Sequence, residues 1–146
     1  MRRLGSLDEL VALVEELADR DNLFIRWSRD IDADLGDEVS RDELSGVELP
    51  GLSANGLAVE PWWGRRPLRV WLARKLYDYR HMPRVHGEGT RPWLVCGVAS
   101  GRGPDNEPLI TRCRVVAEVL GAVIEQAARV VDELPGDWGT LNREQG

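Results

Sequence analysis

The chain has 146 residues, a net charge of −6 and a hydrophobic content of 42%. These values are typical of one soluble globular domain that is large enough to bury a core of its own. The acidic balance argues against a nucleic-acid polymer as the partner, because binding of that kind depends on neutralising phosphates.

The two cysteines and two histidines limit the cofactors that the sequence supports. Cys96 and Cys113 lack the spacing of a metal site. We therefore expect no structural zinc, and reduced thiols fit a cytoplasmic protein. No apolar run reaches the roughly 20 residues that a membrane span needs, so the membrane is not an expected partner.

The first predicted elements are a helix and a strand. Ser6 and Glu9 form a capping box, and apolar residues follow at helical spacing from Leu7 onwards. We expect this helix to end near residues 21–22. The aromatic and branched run 23–27 then predicts a strand, in which Arg26 is the charged member.

The segment 28–64 is polar, rich in turn signals and acidic near its start. An EF-hand needs Gly at the sixth position of its loop and a carboxylate at the twelfth, but Leu35 and Arg41 stand there. We therefore interpret the acidic run as a solvated loop. A short helical turn is predicted at 41–44, with Ser40 as its cap. The acidic residues of the run are Asp30, Asp32, Asp34, Asp37 and Glu38.

The second half of the chain predicts a helix, a strand and a final helix. Pro67 suits the first turn of a helix that extends to about residue 82. Residues 93–98 read as a buried central strand, and the apolar periodicity from Thr111 to Leu134 predicts a long last helix.

The order of these elements favours a single compact α+β domain over residues 1–134, followed by a mobile tail at 135–146. Its small sheet would carry an N-terminal helix, a central helix and a long C-terminal helix. We see no second domain and no internal repeat.

The segment 23–82 concentrates the residues that recognise ligands. It holds four of the six tryptophans, both tyrosines and eight of the eighteen arginines. Arg74 beside Trp62, Trp63 and Tyr77 could grip an anionic planar ligand, because a guanidinium matches phosphate oxygens and an aromatic face stacks a base.

Three alternatives stay open for the same residues. The basic stretch could be the solvated face of an amphipathic helix. Trp62 and Trp63, which lie in a loop bounded by Gly and Pro, are expected to be partly exposed and could bind a protein partner. Arg26 could be a structural arginine that pairs with the acidic run.

Five strings resemble an uncharacterised family of small proteins from GC-rich actinobacteria. They are RWSR (26–29), LPGLSAN (49–55), EPWW (60–63), LARKLYDY (72–79) and GRGPDNEPL (101–109). The resemblance covers roughly residues 7–134. It implies a compact cytoplasmic domain and no particular activity.

The order of elements is also similar to that of ADP-ribosyltransferase-like domains. This resemblance implies that Arg26 with Ser28 binds NAD on an early strand. It also implies that Ser53, with Asn55 nearby, lines the pocket.

The same resemblance places Ala73 and Tyr77 on the helix under the nicotinamide. Glu107 would act at the ribose, with Glu60 as a rival carboxylate. The H-G-T string, the S-T-S triplet and the E-x-E pair of such domains are absent from the sequence.

Two function classes therefore remain. The first is a non-catalytic module that binds a small anionic or nucleotide-like ligand, or a protein partner, through residues 23–82. The second is an enzyme that consumes NAD by ADP-ribosyl transfer or glycohydrolysis.

Overall fold

The computed structural model describes residues 2–17, 22–41, 47–80, 83, 87–104 and 107–134. The helices in these ranges are α1 (Leu7–Leu17), α2 (Ile31–Asp37), α3 (Leu68–Asp78) and α4 (Gly121–Asp132). A 3-10 turn spans Pro61–Trp63. The strands are β1 (Arg3–Leu4), β2 (Leu23–Ser28), β3 (Ser40–Arg41), β4 (Glu48–Leu49), β5 (Leu52–Ser53), β6 (Asn55–Gly56), β7 (Arg91–Arg102) and β8 (Pro108–Val119).

Helix α1 begins where the capping box predicts. The backbone N–H of Glu9 donates to Ser6 Oγ at 3.1 Å, and the Glu9 carboxylate accepts from the Ser6 hydroxyl at 3.4 Å. Gln126 of α4 accepts a further bond from the Leu7 N–H at 2.7 Å. The start of α1 is thus fixed both locally and by a helix from the far end of the chain.

The main sheet is mixed and curled. Its strand order is β1-β8-β7-β2-β6, and β5 pairs with β8. Strand β1 runs parallel to β8, whereas the other pairs in this sheet are antiparallel. The consecutive strands β5 and β6 pair with β8 and β2 respectively, so the segment 52–56 connects two strands that β7 otherwise separates.

The two faces of the sheet bury two separate cores. The larger core lies under α1, α3 and α4 and includes Leu10, Trp71, Leu76, Leu94 and Val123. The smaller core lies on the other face and contains Phe24, Ile31, Leu52, Ala54, Val95 and Ile110. Helix α2 contributes Ile31 to this smaller core.

The predicted α+β class is confirmed, but the predicted last helix is wrong in its first part. Residues 111–119 belong to β8, which forms a long hairpin with β7, and α4 begins only at Gly121. Three register shifts interrupt the β7–β8 pairing. They break the strict alternation of side chains, so the valines of β8 recur at a spacing that resembles a helix.

The segment after β2 differs from its prediction as well. The acidic run forms α2 rather than a loop, because the Asp30 side chain caps the helix by accepting from the Ala33 N–H at 3.1 Å. Ser40 and Arg41 pair with β4 instead of opening a helical turn. Residues 42–44 of that predicted turn, and the predicted tail at 135–146, lie outside the described residues.

Candidate functional site

A polar cluster on the small-core face brings together three of the predicted ligand-binding residues. Arg26 Nη1 donates to the carbonyl oxygen of Ser53 at 2.8 Å and to Ser53 Oγ at 3.1 Å. Asp34 Oδ2 accepts from Arg26 Nε at 3.1 Å and from Ser28 Oγ at 2.6 Å. Arg26, Ser28 and Ser53 therefore meet around the carboxylate of Asp34.

Arg26 is engaged inside this cluster. Its guanidinium also approaches Asp34 through Nη2 at 3.1 Å, and only 16% of the side chain is exposed. This is the pairing with the acidic run that the sequence left open as an alternative. A phosphate ligand would have to compete with the carboxylate for the same N–H groups.

Two further predicted residues lie on neighbouring strands. Asn55 is half-buried in β6, opposite Ile25 of β2. Glu107 is half-buried before β8, two residues ahead of Leu109, which pairs with Ser53. Glu107 therefore adjoins the strand that pairs with Ser53, whereas Glu60 immediately precedes the 3-10 turn.

The tryptophans of the 23–82 segment form a packed group rather than an open patch. The ring centroids of Trp63 and Trp71 are 5.3 Å apart, and those of Trp62 and Trp71 are 5.6 Å apart. Trp63 is only 2% exposed and its indole N–H donates to the Arg66 carbonyl oxygen at 3.0 Å. The expectation that Trp63 is partly exposed is therefore wrong, whereas Trp62 is half-buried.

The remaining predicted ligand-binding residues, Arg74 and Tyr77, lie on α3. Arg80 stacks on the ring of Tyr77, with its guanidinium carbon 3.6 Å from the ring centroid. Arg74 is half-buried, and its Nε has no hydrogen-bond partner among the residues that the structure describes. Among the described residues, neither Arg74 nor Tyr77 forms a hydrogen bond or ion pair with the Arg26 cluster. The predicted site residues therefore do not form one site.

A cavity of about 530 Å³ lies beside Trp27, between the ends of β7 and β8 and the start of α4. Most of its lining is apolar. Arg80, Arg91, Glu118 and Glu125 add charged groups. The apolar lining includes Trp27, Pro92, Val119, Leu120, Ile124 and Ala128.

An indole N–H without a partner and the start of α4 border this cavity. Trp27 is 8% exposed, and its indole Nε1 is buried with no partner in the described ranges. Leu120 precedes α4 and offers no side-chain oxygen as a cap. The Val123 N–H donates to the Leu120 carbonyl oxygen at 3.0 Å, so the N–H groups of Gly121 and Ala122 are those left without a hydrogen bond among the described residues. The backbone dipoles of α4 add partial positive charge there.

The charged groups at the cavity are partly paired. Glu118 is 5% exposed and its carboxylate accepts from Arg91 Nη1 at 2.8 Å. Arg3 Nε lies 3.4 Å from the other oxygen of Glu118. Two arginines thus offset the one buried carboxylate, and the carboxylate does not dominate the local charge.

Comparison with known proteins gives the chain a family without giving it an activity. Residues 1–140 match DUF6098, which is described as a family of unknown function. The chain belongs to DUF6098. No curated protein and no solved structure gives a significant match.

The DUF6098 assignment confirms the expectation of an uncharacterised family. In the described part of this DUF6098 protein, no helix has the length and apolar character to cross a membrane. Across the same ranges, no group of three or more His, Cys, Asp or Glu side chains is arranged to hold a metal ion.

The two cysteines of the DUF6098 chain, Cys96 and Cys113, are not joined in a disulfide. Cys96 is buried. Burial, together with the neighbouring Glu38 carboxylate, raises the pKa of the Cys113 thiol to about 12. The Cys113 thiol therefore stays protonated near neutral pH and is a poor nucleophile.

Sequence reasoning missed most of the cavity. Glu118, Gly121 and Ile124 were assigned to the interior of a long helix, so their place at a strand-to-helix junction was hidden. One signal was available: Gly121 follows a run rich in valine, and valine favours strands over helices.

Proposed function

We propose that this protein binds a small carboxylate with an apolar body in the cavity beside Trp27. The observation that carries the proposal is the combination of an apolar cavity of about 530 Å³ with the unpartnered indole N–H of Trp27 at its border. Ligand sites typically have volumes of roughly 300–1,000 Å³ and a few polar groups that orient the ligand.

The hydrogen-bond donors and charged groups at the edge of the cavity favour a negatively charged ligand. The indole N–H of Trp27 and the backbone N–H groups of Gly121 and Ala122 can donate hydrogen bonds to a ligand. Arg80 adds positive charge, and Glu118 is offset by its two partners Arg91 and Arg3. Glu125 also lines the cavity but is exposed to water, which screens its charge. A ligand that supplies acceptor oxygens and negative charge complements these groups.

A protein partner has less support. The described large apolar residues that are exposed are Val39, Val47, Val59 and Val98, which are spread over the chain. Scattered apolar residues of this kind are normal on a protein surface. Because Trp63 is buried, the Trp62–Trp63 pair offers little apolar surface to a partner.

Calorimetric titration tests this proposal with naphthalene-2-carboxylate as the probe and its neutral carboxamide as the comparison. We expect a saturable isotherm for the carboxylate and clearly weaker binding of the carboxamide. Ala128→Phe fills the cavity and should abolish binding, whereas Ala33→Phe, at an exposed position on α2, should not. Equal binding of both probes, or unchanged binding to Ala128→Phe, would contradict the proposal, as would the absence of any isotherm for the carboxylate.

A second candidate function is NAD binding with ADP-ribosyl chemistry, and the meeting of Arg26, Ser28 and Ser53 favours it. Here Arg26 would hold the diphosphate and Glu107 would act at the ribose. Trp93 lies opposite Arg26 on β7 and is half-buried, so it offers an aromatic face to the same side. This candidate ranks second because Asp34 already occupies the Arg26 guanidinium.

NAD⁺ titration into the wild type, Arg26→Ala and Glu107→Gln tests the second candidate. Micromolar binding, about −8 kcal/mol, that is lost in Arg26→Ala and kept in Glu107→Gln would support it. No heat at millimolar NAD⁺ with folded protein would reject it.

A further inference from the structure

The charged groups that line the cavity differ in whether the protein itself provides their partners. Arg91 Nη1 donates to the Glu118 carboxylate at 2.8 Å. Arg80 Nη1 donates to the Tyr77 carbonyl oxygen at 2.7 Å. Glu125 of α4 also lines the cavity, is exposed, and forms no hydrogen bond or ion pair with any residue that the structure describes. Its carboxylate is therefore available to a ligand.

The hydrogen-bond donors of the cavity lie near this carboxylate. The Trp27 indole N–H is buried without a partner among the described residues, and the Gly121 and Ala122 N–H groups belong to the first turn of α4. Gly121 has no side chain to cover them, and a Cβ there would meet no atom within 4 Å. Glu125 follows Gly121 by four residues on the same helix face, and the side chains of a helix lean toward its N-terminus. Glu125 therefore extends toward the donors at the start of α4.

A ligand that engages both kinds of group needs an anionic and a cationic group close together. Its carboxylate accepts from the indole and from the N–H groups of α4, and an ammonium group donates to Glu125. In an α-amino acid both groups are bonded to one carbon atom, so together they fit between partners about one helical turn, roughly 5.4 Å, apart. The apolar part of the lining, which includes Leu120, Ile124 and Ala128, accommodates an apolar side chain.

We propose that the ligand of this cavity is an α-amino acid with an apolar side chain, and that Glu125 binds its ammonium group. This assignment rests on the proposed function, because it keeps the same cavity and the same carboxylate donors and adds a partner for a second group. The charges of the lining agree with it. The described side chains there include two arginines and two glutamates, whose charges cancel as those of a zwitterion do.

Calorimetric titration of L-phenylalanine and of 3-phenylpropanoate, which differs only in lacking the amine, tests the role of Glu125. We expect L-phenylalanine to bind the wild type about fivefold more tightly, which is the upper end of what an exposed ion pair contributes. Glu125→Gln should remove this advantage and leave 3-phenylpropanoate bound at least as tightly as before. Asp132→Asn, at an exposed position of the same helix outside the lining, should keep the advantage.

The two compounds separate a failure of this assignment from a failure of the proposed function. If the wild type binds 3-phenylpropanoate as tightly as L-phenylalanine, or more tightly, the ligand is a simple carboxylate and the amino-acid assignment is overturned. An advantage of L-phenylalanine that survives in Glu125→Gln would also overturn it. If neither compound binds, the assignment fails, and the titration of naphthalene-2-carboxylate decides separately whether the cavity binds a carboxylate.

Discussion

At the scale of single residues, the carboxylate of Asp34 joins three elements through one oxygen atom. Asp34 Oδ2 accepts from Ser28 and Arg26 of β2, and Arg26 in turn binds Ser53 of β5. Ser28 is buried and Arg26 is largely buried. Their donors therefore depend on this carboxylate, because water has little access to replace it.

Asp34→Asn should reduce the free energy of unfolding by about 1–3 kcal/mol, the usual penalty for a buried polar group that loses its partner. The neutral amide cannot balance the charge of Arg26 and accepts more weakly from Ser28. Urea unfolding followed by far-UV circular dichroism measures the change. Asp32→Asn, at an exposed position of the same helix, should stay within about 0.5 kcal/mol of the wild type. Equal midpoints for the two variants would show that the cluster is not a source of stability.

The residues of this cluster were only partly predictable. The sequence indicated Arg26 because a charged residue interrupts an apolar strand. Ser28 and Ser53 were predicted as binding residues only through the ADP-ribosyltransferase resemblance. Asp34 was placed in a solvated loop, since a single sequence does not show which of five acidic residues faces the strand. The pairing depends on the fold of α2 against β2, which local pattern does not encode.

At the scale of elements, α2 is attached to the sheet at its C-terminal end by Glu38. The Glu38 carboxylate accepts from the backbone N–H of Cys113 on β8 at 2.7 Å. Glu38 itself has a φ of 49°, a left-handed conformation that ends the helix. One residue thus both terminates α2 and docks it on β8.

This contact predicts that the stability of the fold depends on pH. The hydrogen bond from the Cys113 N–H lowers the pKa of Glu38, and Arg112 acts in the same direction. A carboxyl whose pKa is lower in the folded state stabilises the fold above its unfolded pKa of about 4.3, and this contribution is lost as the pH falls through the folded pKa. Glu38→Gln should therefore be less stable than the wild type at pH 7, and the gap should narrow at pH 3. Urea midpoints at both pH values measure this; a gap that does not depend on pH would contradict it.

The longest element shows why strand and helix were confused. Val115, Val116 and Val119 recur at intervals that fit a helix face, yet they lie in β8. Register shifts between β7 and β8 displace the side-chain alternation. The capping box of α1 was easier to predict, because Ser6 and Glu9 specify a helix start through local bonds. Sequence pattern predicted α1 from its local cap, and β2 and part of β7 from their apolar runs, but it missed α2 and failed at β8, where the register against β7 decides.

At the scale of the whole molecule, the segment 52–56 connects strands on opposite sides of β7. Gly51 precedes it with a φ of 142°, and a Cβ at this position would stand 3.2 Å from the Ile110 carbonyl oxygen and 3.2 Å from Leu109 Cβ. Both contacts are with β8, the strand that β5 joins. The close approach of the backbone is therefore part of how the sheet curls.

Gly51→Ala should lower the free energy of unfolding by more than about 1 kcal/mol, because alanine neither adopts this φ readily nor fits against β8. Gly36→Ala is the matched control. Gly36 lies in α2, and a Cβ there would meet no atom within 4 Å. That variant should gain about 0.5–1 kcal/mol from its better helix propensity. Thermal unfolding of both variants measures these opposite changes in stability. A Gly51→Ala variant as stable as the wild type would show that β5 can move away from β8 at little cost.

The pairing of β5 with β8, and of β6 with β2, also has a consequence for protein synthesis. The ribosome delivers β2, β5 and β6 long before β8, whose residues pair with both β5 and β1. Until residues 108–119 emerge, β1 and β5 have no partner strand, and unpaired strand edges invite association between chains. A ribosome that stalls in the middle of this message would therefore present an aggregation-prone nascent chain, and rapid translation through the β7–β8 hairpin would protect the newly made protein.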